Sequence, residues 1–568
     1  MHIRSIKTSI IKSIFAISLA VMMILSIVGC AQQHAPEAPT YEIATLSPTN
    51  VNTPVEGGRL VLPLMQGDVV GNPLLVVTQE SFSISKLLFE SLVTLDEYGE
   101  PQPYLAESWT VDDGGRQWSL TLRPNITWHH NGRALNAQDV IFTLDMLKEI
   151  ADSADEEPQG ETTEDEQAQG PRGSSYAHIL QYLSSWEAGD EGQVRLHTKQ
   201  SFYGILHLLN FPILPFDAGY TASSAPNNLP GSGPYQVISN QGEQGMQLNF
   251  YEQWWRSAPY IKEIQVQYFD STDAAVSSLL LKQVDAVQSD ALTVSQYRET
   301  GDANLHEYAS SQLEYLILNS ISPDLANVDI RQAVAHALDK LEIASSVYVN
   351  HAIVTDTPIL PDSWLYNEKI PIYENDTQRA KSLVRQSAWQ DTDEDGRWDL
   401  SPDGVKRSLA LTILTNVDDT PLHRDAALII AEQLRRVGIE ASVTALGWEQ
   451  YVQALQQRSF DIALVGANMS ASGDLSMLVH TQGDLNFGRW SDEQLDGALQ
   501  DALDAPDRGL YMEKVAQVQQ LIAEKLCIIP LFFRSKTLLS AYDVRGVTGV
   551  SRENIFGGIN HWYFSNEK

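Results

Sequence analysis

The feature that most restricts the fold is a succession of hydrophobic periods between residues 409 and 445. An apolar run at 409–414 precedes a stretch at 424–437 whose apolar side chains recur every three or four positions, and a second short run follows at 440–445. Two strands joined by a helix pair in parallel, because the helix carries the chain back to the end of the sheet from which it left. Strand-like runs at 58–63 and 118–122, and helical periodicity at 137–147 and 508–526, extend the alternation across the chain. An α/β architecture is expected. With 568 residues, 43% of them hydrophobic, the chain exceeds what one core organises, so two or three domains are expected.

The N-terminus carries Arg4, Lys7 and Lys12, no acidic residue, and then an apolar run over 14–28, the anatomy of an export signal. The run is borderline for a spanning helix, which needs about 20 apolar residues. Ile27-Val28-Gly29-Cys30 resembles a bacterial lipobox, with Ile27 where Leu is commonest, so cleavage is expected to leave Cys30 lipidated. Residues 1–29 then form a lipoprotein signal peptide. Residues 30–54, rich in Ala, Pro, Thr, Gln and Ser, form a flexible tether to the cell membrane. Cys527 is the one other cysteine, which leaves the mature fold without an intrachain disulfide. The acidic stretch within 151–173 has no basic residue before Arg172 and is expected to be a disordered surface insertion. The net charge of −35 argues against nucleic acid as a partner, since phosphates require a basic footprint.

No nucleophile elbow, phosphate-binding loop, zinc-protease helix or paired-cysteine metal motif is present, and an enzyme is not expected. Asp391, Asp393 and Asp395, followed by Gly396, resemble the start of a calcium loop, but Pro402 stands where a bidentate Glu would close it. A solvated acidic turn is the stronger reading there, with calcium the weaker. His129 and His130, neighbours on an expected strand that continues to residue 127, would point to opposite faces and pack rather than bind metal. Trp254 and Trp255 are expected in a core, Trp364 and Trp490 in a cleft. Pro230-Gly231-Ser232-Gly233-Pro234-Tyr235 reads as a tight turn whose glycines permit unusual backbone angles.

Ordered blocks along the chain carry a resemblance. They include Gly57-Gly58-Arg59-Leu60-Val61, Leu88-Phe89-Glu90-Ser91-Leu92-Val93, Pro103-Tyr104-Leu105-Ala106-Glu107-Ser108-Trp109 and the run from Val328 through Arg331-Gln332-Ala333 to Lys340. Together they resemble extracellular solute-binding proteins of family 5, the peptide/nickel type. The resemblance implies a periplasmic-binding-protein-like (type II) two-lobed α/β fold with an extra domain inserted in the first lobe. The first lobe would span residues 55–310, with the inserted subdomain at about 76–215. Residues 311–525 would form the second lobe, and 526–568 would return to the first. It implies the substrate-binding subunit of an ABC-type importer, a monomer without cofactor that works with a permease and ATPase subunits. A peptide or peptide-like ligand would lie between the lobes, near Gln66, Asn72, Asn319, Trp364, Asn468, Met469 and Trp490. In peptide-binding relatives an Asp pairs with the ligand's amino terminus; the matching positions here are Ala471 and Asn468, with Asp474 close by. Ordinary oligopeptides are therefore doubtful. An oligosaccharide, an opine, a nickel complex or a ligand-sensing receptor role remain alternatives.

Overall fold

A computed structural model describes residues 54–66, 71–76, 78–155, 173–242, 245–401, 405–417 and 421–565. The expected signal peptide, Cys30, nearly all of the tether and most of the acidic insertion lie outside the described residues.

Leu60, Leu62 and Leu64 alternate inward along β1 (Arg59–Met65), the period of two that a half-buried strand imposes. Helix α1 (Gln79–Leu88) begins in a reciprocal capping box between Thr78 and Ser81. An antiparallel sheet follows, made of β2 (Ala106–Asp112), β3 (Gln117–Leu122), β4 (Leu183–Ala188) and β5 (Gln193–Thr198), in the order β2-β3-β5-β4. Between β3 and β4 runs α2 (Ala137–Asp155), whose Val140, Leu144 and Leu147 are fully buried. A short helix, α3 (Ile205–Leu208), closes this part. Strands β6 (Tyr235–Asn240), β7 (Met246–Phe250) and β8 (Glu263–Phe269) then return to β1 in the order β1-β8-β7-β6, with β1 and β8 parallel.

Apart from three short two-stranded ladders, the remaining described strands form one seven-stranded sheet. In chain order they are β9 (Ala286–Ser289), β10 (Ala303–Leu318), β11 (Ala352–Val354), β12 (Ala410–Asn416), β13 (Glu440–Leu446), β14 (Ile462–Asn468) and β15 (Ile528–Ala541). The order is β9-β15-β10-β14-β12-β13, with β11 on β15. The expected strand-helix-strand unit is present: β12 pairs in parallel with β13, Ala410 opposite Glu440, across α4 (Leu422–Arg436). Helix α5 (Arg508–Lys525) leads into β15.

Two strands are long, β10 with 16 residues and β15 with 14. Leu538 and Leu539 of β15 belong to the core of the first lobe, whereas Leu316 and Leu318 of β10 and Leu531 and Phe532 of β15 lie in a second core. The antiparallel pair thus runs from one lobe into the other, and its register slips between Ala309 and Leu313. The chain before β10 and after β15 is termed the first lobe, and the chain between them the second. The first core extends broadly into the second lobe, taking in Ile359, Leu365, Phe460, Leu475, Leu495 and Tyr511 among others, so the lobes pack against each other.

Two expectations are corrected. The strand expected to continue to residue 127 stops at Leu122, because Pro124 has no N–H to donate and Asn125 takes a left-handed conformation, φ 64°. His129 and His130 consequently sit in a turn. There His129 Nε2–H donates to the Gly233 carbonyl (2.9 Å) and its Nδ1 accepts the Gly231 N–H (3.2 Å). Burial holds that imidazole down at about 4. The glycines of this segment serve close approach rather than unusual angles: a Cβ on Gly231 would lie 1.9 Å from the Leu88 carbonyl oxygen. Trp254 and Trp255 are half-buried, and both indoles donate to Glu90 Oε1, at 3.0 and 2.8 Å.

Candidate functional site

Where the lobes meet, a cavity of about 250 Å³ is walled by four segments distant in sequence. The first lobe contributes Asp96 to Gly99, the long strand β10 contributes Glu307 to Ala309, the second lobe contributes Leu360 and Asp362, and the C-terminal segment contributes Val550 to Glu553. Asp96 shapes its own turn by accepting the N–H groups of Tyr98 and Glu100, both at 2.9 Å, and Gly99 completes it at φ 76°. Asp96, Glu97, Glu307, Asp362 and Glu553 line the cavity with one guanidinium, that of Arg552, which pairs with Glu553 at 3.2 Å, while Glu307 meets the His351 imidazole at 3.1 Å. The field is negative: Glu97, with Asp96 and Asp362 behind it, pushes the Tyr98 phenol above its ordinary pKa. A cation entering here gains attraction that a neutral solute does not.

A larger cavity of about 440 Å³ shares Asp96, Glu97, Tyr98, Ser551 and Glu553 with it. Its wall includes Glu90, which is 1% exposed and raised to about 7 by burial, against the opposing pull of the two indole N–H groups. All of its lining residues precede β10 or follow β15. The smaller cavity is walled by both lobes and is therefore the candidate for a ligand held between them.

The residues singled out by sequence divide. The Trp364 N–H donates to the Tyr98 carbonyl (3.2 Å), placing that residue beside the cavity. Asn468 and Met469 are tied to Ser311 on β10, through the Ser311 hydroxyl on Asn468 Oδ1 (3.2 Å) and the Met469 N–H on the Ser311 carbonyl (2.8 Å). Ala471 approaches Gly99, its Cβ 3.8 Å from where a Cβ on that glycine would stand. Asp474 accepts from the Ser476 N–H (2.9 Å) and the Tyr182 hydroxyl (3.4 Å).

Three others serve the framework. Asn72 caps a short turn through the Leu74 N–H (3.0 Å) and donates to the Thr221 carbonyl (2.8 Å). Asn319, 2% exposed, donates to the Phe460 carbonyl (2.7 Å). The Trp490 indole donates to the Leu318 carbonyl (2.7 Å). Gln66 is exposed at the end of β1 and is not in the cavity wall. Sequence reasoning missed Asp96, Glu307, Asp362 and Arg552, which as charged residues in turns or strands carry no local sign of convergence.

Asp391, Asp393 and Asp395 bring one carboxylate oxygen each within 4.8 Å of one another. Lys406 Nζ already neutralises part of this set, at 2.5 Å from Asp393 and 2.9 Å from Asp399.

Residues 100–488 match the profile of the bacterial extracellular solute-binding proteins, family 5. The oligopeptide-binding protein AppA of Bacillus subtilis is 24% identical over 571 residues, covering 96% of this chain and 98% of its own. Among solved structures, HbpA2 from Haemophilus parasuis superposes with a TM-score of 0.73 at 20% identity, covering 89% of this chain and 100% of the other. The ABC transporter substrate-binding protein CtaP from Listeria monocytogenes gives 0.71 at 18%, covering 90% and 100%. Among the described residues no helix is long and apolar enough to cross a membrane. With a profile that spans more than half of the chain and two lobes joined by paired long strands, the protein belongs to family 5 of the bacterial extracellular solute-binding proteins, whose members are binding proteins and not enzymes.

Proposed function

We propose that the protein is the solute-capturing subunit of an ABC-type importer, held at the membrane by a lipid on Cys30, and that it takes a small solute bearing a positive charge. The observation that carries this reading is the acidic cavity walled by both lobes beside the hinge strands. A solute bridging the two walls favours the closed shape over the open one, and the permease distinguishes those shapes. The permease and its ATPase subunits are the partners this reading requires.

Relatives are named for oligopeptides, dipeptides and heme. The cavity, about 250 Å³, is smaller than the roughly 300–1,000 Å³ of most ligand sites. With Ala471 against Gly99 and Asp474 engaged by Tyr182, the carboxylates available to an ammonium group are those of the junction, Asp362 foremost. A charge-assisted hydrogen bond to such a group contributes about 1.5–3 kcal/mol.

Thermal-shift measurements on the mature chain test the assignment, with di- and tripeptides, their N-acetylated forms, neutral oligosaccharides, opines and nickel as probes. Free amines are expected to stabilise, N-acetylation to weaken binding at least tenfold, and Asp362→Asn to do the same. Stabilisation by a neutral sugar and by no amine would overturn the charge assignment. Cells lacking the adjoining permease should lose uptake of the stabilising solute; intact uptake would favour a receptor role.

A further inference from the structure

Beside the junction cavity, and not in its wall, the lobes meet on stacked aromatic rings. His207 on α3 of the first lobe lies face to face with Trp364 of the second, with ring centroids 5.8 Å apart and planes inclined by 14°. Trp364 also stacks with Tyr511 (6.3 Å, 29°) and carries the Arg508 guanidinium 5.1 Å from its ring. Arg508 in turn reaches back to Glu100 of the first lobe at 2.5 Å. His207 is 6% exposed, and among the described residues neither ring nitrogen has a partner in hydrogen-bond geometry.

Burial disfavours the charged form of this imidazole and outweighs the backbone carbonyls near it, so the neutral form is favoured while the ring stays buried. The polar and charged groups facing it come from every element packed around it. Its own helix presents the Gly204 carbonyl, the 96–100 turn the Gly99 carbonyl, and the C-terminal segment the Arg552 guanidinium, which disfavours a second positive charge. The second lobe presents Trp364, with Arg508 and Tyr511 beyond it, and Glu100 is occupied by Arg508.

We propose that this stack is a proton-sensitive latch, in which the lobes remain closed on a neutral His207 and part when the ring is protonated. Burial lowers the imidazole to about 4 in the closed arrangement. In this proposal Trp364, stacked on the ring, supplies the part of that burial that opening removes, and its withdrawal lets the imidazole rise toward the ordinary value of about 6.5. Because the pKa is lower when closed, protons bind preferentially to the open form. The closed-to-open ratio is unaffected above about pH 7.5, falls about tenfold for each pH unit below about 6.5, and levels off below about 4. Acidic surroundings would thereby discharge a captured solute. The latch is a property of lobe closure and does not depend on which solute binds.

Small-angle X-ray scattering of the mature chain without added solute, at pH 7.5, 6.5, 5.5 and 5.0, tests it. Circular dichroism at each pH verifies that the chain stays folded. The wild type is expected to be compact at pH 7.5 and to increase in radius of gyration as the pH falls to 5.0. His207→Phe, which keeps the stacked ring, and His207→Gln, which keeps polarity, remove the titration and should show no pH dependence. If one variant misfolds, the other decides. A wild type with constant radius, a wild type already expanded at pH 7.5, or variants that expand as the wild type does would each overturn the proposal. Scattering reads shape and thermal shift reads binding, so failure of either inference leaves the other standing.

Discussion

Glu90 offers a quantitative test of how this fold carries a buried acid. Its Oε1 accepts two indole N–H groups, Oε2 has no hydrogen bond, and the side chain is 1% exposed. Burial raises the carboxyl from 4.5 to about 7. For an acid whose folded pKa lies above its unfolded value, stability is greatest below the unfolded pKa and is lost as pH rises through the folded one. The loss therefore begins near pH 4.5 and is complete above about pH 7. At about 1.36 kcal/mol per pKa unit it amounts to about 3 kcal/mol. Glu90→Gln keeps an oxygen for both indoles and offers an amide to the neighbouring Ser232 and Tyr104 hydroxyls, but does not ionise. The variant should match the wild type near pH 4.5 and exceed it by about 3 kcal/mol at pH 8. Unfolding entropy of about 2.1 cal/mol/K per residue makes that a rise of about 3 °C in a chain of this length. Scanning calorimetry of both proteins from pH 4.5 to 8 measures it. A variant that is less stable by the same amount at every pH would show that Glu90 is ionised throughout, and the reasoning would fail.

Gly231→Ala should lose about 3 kcal/mol or more, because its Cβ would stand 1.9 Å from a backbone oxygen that cannot turn aside; chemical denaturation with an unchanged midpoint would refute the close approach. Calcium and EGTA should each leave the melting temperature within about 1 °C, since Lys406 sits among the carboxylates of the acidic turn. A calcium-dependent rise would restore the metal reading of Asp391, Asp393 and Asp395. Cys30→Ser should move the protein from the membrane fraction to the soluble one, and persistence at the membrane would argue for a retained N-terminal helix.

Much of the fold was legible because its signals are local. The strand-helix-strand unit followed from periodicity, as did the helices at 137–147 and 508–526, whose starts are capped by Asn136, which accepts the Gln138 N–H at 2.9 Å, and Asp507, which accepts the Leu510 N–H at 3.0 Å. The cavity was not legible in the same way. Asp96, Glu307, Asp362 and Arg552 are brought together by the crossing of two long strands, and an acid in a turn looks the same in sequence whether solvated or convergent. Asn72 and Asn319 resemble ligand-binding amides, but the carbonyl each one reaches is more than a hundred residues away. Trp490 likewise spends its one donor on a strand end. The choice between holding a solute and holding the backbone is made by tertiary neighbours that periodicity does not reveal.

The crossing strands also fix the order in which the chain can be completed. The second core draws only on the stretch from Leu316 in β10 to Phe532 in β15, so it can organise once that stretch is synthesised and released. The first lobe must wait: β9 has its ladder partner in residues 537–540, and the fully buried Trp562 arrives later still. Until the last few dozen residues emerge, an early-made domain presents an unpaired strand edge and an unfilled core. A secreted chain that emerges N-terminus first would therefore carry its most aggregation-prone surface for almost the whole of its passage. Truncation near residue 525 should ruin the earlier lobe and also strip Leu531 and Phe532 from the core of the later one.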